Sequence, residues 1–292
     1  MINCNRKGCT RSRSEFRMFL NRRRPPRFDH QDYCSETCLQ DESETELRER
    51  WRRLLQEKSR HIPRPKLGTI LLERAFITPA QLDAAVSMQR RTRKGRLGEW
   101  LLELGFVEEH QITLALSRQH GIPVIHLANA AVPTDVAKMI PGPVAKCSNL
   151  VPVGYSDDHS ALRIAAGGPV HFGSQEALRR MLGMNVMTYI GDDSAIQSML
   201  ERLYRPEELD LQNAPTYSTL DELLEIGRGV VHSALDRRAA NVQFELVEGY
   251  FWTRLDCEGT VHHQFYRYQD PRALCEERIP VGPWALASAA VH

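Results

Sequence analysis

Residues 66–89 (KLGTILLERAFITPAQLDAAVSMQ) and 96–119 (RLGEWLLELGFVEEHQITLALSRQ) are two versions of one 24-residue segment, offset by 30 positions. They share Leu67-Gly68 with Leu97-Gly98, Leu71-Leu72-Glu73 with Leu101-Leu102-Glu103, Phe76 with Phe106, and Gln89 with Gln119. Each copy reads as two short helices. Gly105 stands where a helix end wants a left-handed residue. Thr78-Pro79-Ala80-Gln81 reads as a capping box with proline at the first helical position. Leu82 and Val86, then Ile112 and Leu116, keep the i, i+4 spacing of a buried helix face. The centre of the chain is therefore expected to be helical and built twice.

After the repeat the pattern alternates. Val124–Leu127, Leu150–Tyr155, Ala161–Ala166 and Val186–Ile190 predict strands, and 134–147, 174–182 and 193–204 predict helices, which together make a small α/β domain. Residues 206–217 read as a linker. Thr219-x-x-Glu222 caps a helix running to about Arg238. Val242–Glu245 and Tyr250–Asp256 then predict a hairpin around Glu248-Gly249, with a further turn at Glu258-Gly259. Beyond Asp270 no pattern is legible. Ahead of the repeat, residues 42–60 read as a charged helix with a narrow stripe of Leu47, Trp51, Leu54 and Leu55, and His61–Pro65 as a linker. The expected fold class is α/β in the α+β sense. Its parts are a small cysteine module (1–40), the charged helix and linker (41–65), the tandem-repeat subdomain (66–125), a small α/β domain (126–205) and a helix-plus-hairpin domain (218–292).

The cysteine module rests on Cys4-x4-Cys9 and Cys34-x3-Cys38. Two close pairs separated by a loop suit tetrahedral thiolate coordination of a structural Zn²⁺. A segment this polar and short needs such a staple. Unligated thiols or a redox dithiol are the alternatives. Tyr33-Cys34-Ser35-x-x-Cys38 resembles the second knuckle of small bacterial zinc-ribbon and treble-clef modules. Cys147, Cys257 and Cys275 are scattered, so the seven cysteines suit a reducing compartment with one metal site, not a disulfide framework.

Composition excludes several classes. Hydrophobic residues at 42% and charged residues at 26% of 292 describe ordinary globular protein of two or three domains. A net charge of +1 gives no global field for nucleic acid or membrane. Residues 1–60 do hold 15 Lys/Arg against 10 Asp/Glu. Within them Arg22, Arg23, Arg24 and Arg27 lie among Phe16, Phe19 and Phe28. The interspersed acids favour a solvated loop, so nucleic acid is not the expected partner. No apolar run approaches the roughly 20 residues of a membrane span, and MINCNRKGCT has no signal-peptide core; a cytoplasmic protein is expected. There is no GxxxxGK[ST] loop to cradle ATP phosphates, no HExxH pair, and no nucleophile–base set. His171, His232, His262 and His263 are scattered, and Cys257 beside His262 and His263 reads as a surface or core arrangement. No enzyme is expected.

The repeat, written Arg-Leu-Gly-x-x-Leu-Leu-x-x-Gly-φ-φ-x4-Leu-x3-Leu-x2-Gln with φ apolar, resembles the N-terminal MshE-type domain of type II secretion and type IV pilus assembly ATPases, the GspE/PilB family. The likeness continues into 121–205. In that family the tandem motif binds cyclic di-GMP. The resemblance implies a nucleotide site on Lys66, Leu67, Gly68, Leu71, Leu72 and Gln89 of the first copy. In the second it implies Arg96, Leu97, Gly98, Leu101, Leu102, Gly105 and Gln119. The chemistry is coherent. A pseudo-two-fold ligand meets a duplicated motif, arginine offers a planar fork for phosphate or guanine, and Arg90-Arg91-Thr92-Arg93-Lys94 adds a local field for an anion. The first copy departs from the pattern, with Lys66 for Arg, Ala75 for Gly and Val86 for Leu; the second has Ile112 for Leu. Lysine keeps charge without the fork, and an alanine forced into left-handed backbone costs about 1 kcal/mol. The second half-site is thus expected to be the stronger.

A fainter likeness lies at Ala240-Asn-Val-Gln-Phe-Glu245, Glu248-Gly249 and Arg254-Leu-Asp-Cys-Glu-Gly259, similar to the domain just before that family's ATPase core, with Gln243 in place of a histidine. The chain ends before the motor domain would begin. The resemblance implies a non-catalytic regulatory or adaptor protein of a secretion or pilus system. It would sense cyclic di-GMP and meet the inner-membrane platform protein or the assembly ATPase. An adaptor that has lost the ligand, and a zinc-dependent nucleic-acid-binding regulator, are the alternatives.

Overall fold

A computed structural model describes residues 4–9, 25–56, 64–127, 131–209, 214–247 and 249–269. Arg22, Arg23, Arg24, Phe16, Phe19, residues 61–63 and 210–213 of the two expected linkers and everything after Gln269 lie outside the described residues. The chain divides into two units. One comprises 1–60, 176–183 and 211–292; the other comprises 61–175 and 184–210.

The second unit contains the repeat. Its first copy forms α2 (Leu67–Glu73) and α3 (Pro79–Thr92), its second α4 (Leu97–Glu103) and α5 (Glu109–His120). Thr78 caps α3 through the expected box, its hydroxyl accepting from Gln81 N at 3.3 Å while Thr78 N donates to Gln81 Oε1 at 2.8 Å. Gln111 does the same for Glu108, accepting from Glu108 N at 2.9 Å. Ile70, Leu71, Ile77 and Ala85 pack with Leu101, Val107, Ile112 and Ala115 in one core made from both copies. The α/β part follows as α6 (Thr134–Ala137), α7 (Gly142–Cys147), β2 (Leu150–Tyr155), β3 (Ala161–Ala166), α8 (Phe172–Leu182), β4 (Asn185–Ile190), α9 (Asp193–Leu203) and α10 (Pro206–Leu209). Its sheet has the order β2-β3-β4, antiparallel then parallel. The helix expected over 134–147 is two pieces, because Pro141 and Pro143 lack the N–H that would continue it. Val124–Leu127 makes only a single bridge, Val124 to Ile190.

The last part of α8, from Glu176, groups with the first unit. So do β1 (Arg27–Phe28), α1 (Glu36–Gln56), β5 (Thr216–Tyr217), α11 (Leu220–Asp236), β6 (Asn241–Val247), β7 (Tyr250–Cys257) and β8 (Thr260–Tyr268). The expected hairpin is the centre of a five-stranded sheet, β1-β6-β7-β8-β5. The further turn read at Glu258-Gly259 joins β7 to β8, whose length and pairing were not legible in the sequence; nor were the two short edge strands. The cysteine module and the C-terminal part share one core: Phe28, Leu39, Leu47 and Trp51 pack with Leu223, Val230, Phe244 and Phe251. The reason is apolar supply. Few of the head's side chains could close a core alone, and α1 needs a partner for its stripe. Gly227 on α11 lets α1 approach, since a Cβ there would lie 2.5 Å from Leu47 Cδ1. Leu55 was expected on that stripe and is instead 64% exposed; at 100° per residue it lies about 80° from Leu47 and about 100° from Leu54, at the edge of the stripe beyond Trp51.

Candidate functional site

The repeat folds into a pseudo-two-fold arrangement. Lys66 and Arg96 hold equivalent extended positions just before α2 and α4, with φ −67° and −94°. A Cβ on Gly68 would lie 2.8 Å from Leu82 Cδ1 and 3.3 Å from Leu97 Cδ2; one on Gly98 would lie 3.5 Å from Ile112 Cγ2 and 3.6 Å from Leu67 Cδ2. Each glycine is therefore covered by one apolar residue of its own copy and by the motif leucine of the other. Without side chains, Gly68 and Gly98 let the two Leu-Gly turns meet face to face.

The glutamines complete the exchange. Gln89 Nε2 donates to the carbonyl of Gly95 at 3.0 Å, and Gln119 Nε2 donates to the carbonyl of Pro65 at 2.7 Å. Trp100 Nε1 donates to the Lys94 carbonyl at 2.9 Å. The basic spacer is thus pinned, and Arg90, Arg91, Arg93, Lys94 and Arg96 are all exposed along it. Partial desolvation lowers the Arg96 pKa and Glu99 opposes the shift; the guanidinium stays charged at any physiological pH.

Other site residues divide by burial. Leu71 and Leu101 are fully buried in the repeat core, whereas Leu72 and Leu102 reach the surface. Gly105 has φ +67°, and Ala75, its counterpart, is held at φ +55°. The left-handed position that the pattern assigns to glycine is present in both copies, with alanine bearing the strain in the first. The second copy is also anchored to the α/β part. Glu109 Oε1 accepts from Ser194 N at 2.7 Å at the start of α9, and Thr113 hydrogen-bonds Asp192.

The four early cysteines converge in the first unit. Their sulfurs all lie within 4.8 Å of one another. Cys9 to Cys34, Cys34 to Cys38 and Cys38 to Cys9 are 3.7, 3.6 and 3.8 Å. A tetrahedral ion with metal–sulfur bonds of about 2.3 Å requires edges of about 3.8 Å. None of the four is disulfide-bonded. Ser35 Oγ accepts from Cys38 N at 3.2 Å, which starts α1 and sets the second knuckle. The Ser35 hydroxyl, with the Arg6 guanidinium 3.7 Å from Cys38 Sγ, draws the Cys38 thiol pKa down, while burial pushes that of Cys34 up. Arg6, itself paired with Asp41 at 2.9 Å, carried no sequence signal; only its position between the paired cysteines could have suggested it. These donors fit a thiolate-bound divalent cation.

Residues of the C-terminal likeness are engaged internally. Arg254 Nε pairs with Asp256 Oδ1 at 2.7 Å and its other end meets the Met181 carbonyl. Gln243 Nε2 donates to the Arg180 carbonyl at 2.7 Å. Buried Glu245 lies 3.4 Å from Arg50 Nη1 and 3.0 Å from Arg180 Nη2, and Arg50 also binds Glu46 at 2.9 Å and Asp29.

Comparison with known proteins matches residues 120–209 to the family model of the MshEN domain. The type IV pilus assembly ATPase PilB of Myxococcus xanthus is 24% identical over 219 residues, 68% of this chain, and the chain spans 38% of that relative's length. A solved structure of MshE with cdg is 32% identical, with a TM-score of 0.42, covering 48% of this chain and 100% of its own. The N-terminal domain of XpsE is 24% identical with a TM-score of 0.38, covering 49% and 99%. The family model begins at residue 120, where the tandem repeat ends. Among the described residues no helix is long and apolar enough to cross a membrane.

Proposed function

We propose, from the premise that residues 120–209 are an MshEN domain of the N-terminal GspE/PilB type, that the tandem repeat preceding it binds cyclic di-GMP. The observation that carries the reading is the reciprocal fit of the two copies. Leu67 covers Gly98, Leu97 covers Gly68, and Lys66 and Arg96 are left at equivalent positions. A ligand with two guanines and two phosphates has the matching symmetry. Cationic side chains meet phosphate or guanine edges, the buried Gly68 and Gly98 let the two copies pack closely against each other, and Leu72 and Leu102 offer apolar surface. The exposed spacer cations raise the local concentration of an anion.

The head would hold one structural Zn²⁺ on Cys4, Cys9, Cys34 and Cys38. Bound there, the ion cross-links the two cysteine pairs and so stabilises the core that α1 shares with the C-terminal sheet. The whole chain would act as a non-catalytic regulator or adaptor of a type II secretion or type IV pilus-like system. Its partner would be the platform protein or the assembly ATPase.

Isothermal titration of the full chain with cyclic di-GMP tests the ligand reading. Saturable binding, abolished by Lys66→Ala/Arg96→Ala, is expected. No heat up to high micromolar ligand would overturn it and leave the second reading, an interaction adaptor without ligand, which Lys66 and the strained Ala75 favour.

A further inference from the structure

The two half-sites are built crosswise. Gln89 belongs to the first copy, yet its amide holds the carbonyl of Gly95, the residue just before Arg96 of the second. Gln119 belongs to the second copy and holds the carbonyl of Pro65, just before Lys66 of the first. Their sequence offset of 30 reproduces the repeat, so the pair of bonds is one device used twice. The carbonyls next in line are then free for helix formation. Lys66 O accepts from Thr69 N at 3.0 Å and Ile70 N at 3.2 Å, and Arg96 O accepts from Trp100 N at 3.2 Å. The glycine–leucine packing crosses in the same sense.

We infer that Gln89 and Gln119 are positioning residues, each presetting the cationic turn of the opposite copy, so that Gln89 acts through Arg96 and Gln119 through Lys66. Damage to one copy's glutamine falls on the other copy's half-site. This deepens the cyclic di-GMP reading, but the backbone part of it stands without ligand. A side chain that lost its donor would leave the turn before the cation to sample other conformations. Binding would then require ordering it again.

Gln89→Met and Gln119→Met keep length and helix propensity and remove only the amide. Two readouts on the full chain separate the inference from the ligand reading. The first is amide hydrogen exchange without ligand. Gln119→Met should speed exchange several-fold at Thr69 and Ile70 and leave Trp100 unchanged; Gln89→Met should do the reverse. The second is titration with cyclic di-GMP. Each variant should bind about three- to ten-fold more weakly, the range of one neutral hydrogen bond. Gln119→Met should add little to Lys66→Ala but multiply with Arg96→Ala, and Gln89→Met should show the opposite pairing. Exchange that rises in the variant's own copy, or in neither, overturns the crosswise device. A wild-type chain that does not bind cyclic di-GMP overturns the ligand reading alone, and the exchange pattern then decides the device.

Discussion

Ala75 and Gly105 occupy the same place in the two copies, and exchanging glycine and alanine between them isolates the backbone's contribution from side-chain packing. Both residues are left-handed, at φ +55° and +67°. At Gly105 no heavy atom lies within 4 Å of where a Cβ would stand. A methyl group there meets no neighbour, so Gly105→Ala changes backbone strain and unfolded-chain entropy and nothing else. Left-handed backbone costs an alanine about 1–2 kcal/mol, while glycine loses about 0.5–1 kcal/mol more entropy on folding. The balance is about 0.5–1 kcal/mol in favour of glycine. Ala75→Gly should therefore stabilise the repeat unit and Gly105→Ala should destabilise it by the same amount. For a unit of this size that is a shift of about 1–4 °C in Tm, upward and downward. Scanning calorimetry of the full chain reads it, with the transition assigned by hydrogen exchange at Ile70 and Leu101. The double exchange should come out near the wild-type value if the sites are independent. A chain in which Ala75→Gly is neutral or destabilising would refute the argument that strain distinguishes the copies.

Four further outcomes are expected. Purified chain should carry about one zinc ion by elemental analysis, and Cys34→Ser/Cys38→Ser should lose it together with the cooperative unfolding of the shared core. Arg96→Ala should weaken cyclic di-GMP by about ten- to a hundred-fold, the range of a charge-assisted bidentate contact, and Lys66→Ala by less; Lys66→Arg should tighten binding. His263 accepts from Trp252 Nε1 at 3.0 Å, and burial with Arg254 alongside lowers its pKa from 6.5 to about 4. The neutral form is the folded one, so its contribution is complete above pH 6.5 and is lost as pH falls toward 4; His263→Asn should flatten denaturation midpoints across that window. ATP hydrolysis should not exceed background, and turnover removed by a point change in this chain would contradict that.

The repeat was legible because its signals are local. Helix periodicity, the Thr78 box and the left-handed Gly105 all lie within one turn of the residues they govern. β2 and β3 were legible for the same reason, as unbroken apolar runs. The edge strands β1 and β5 have two residues each, too few for any period to declare itself. β8 is mostly half-buried along its length and shows no clean alternation. Its place follows from pairing with β7, a matter of register and not of propensity. The crossed glutamines were visible as shared residues of the motif, but their partners are carbonyls, which carry no residue identity. The ion cluster around Arg50 was legible only in its i,i+4 pair with Glu46; Asp29 and Glu245 lie far along the chain, and no spacing rule reaches them.

The discontinuous first unit bears on the ribosome. α1 emerges with Leu39 and Leu47 on its apolar side, but the helix packed in the same core begins at Leu220, and every strand of the sheet except β1 lies at Thr216 or later. At about 5–20 residues per second, translation needs roughly ten to thirty seconds to cross the interval from Gln56 to Leu220. For that time the nascent head is a greasy amphipathic helix attached to a cysteine cluster, while the intervening repeat has already been made and can close on itself. A metal ion taken up early would order the knuckle but would leave that helix face bare. Chaperone capture, or pausing near the C-terminal strands, would therefore be felt first at Leu39 and Leu47.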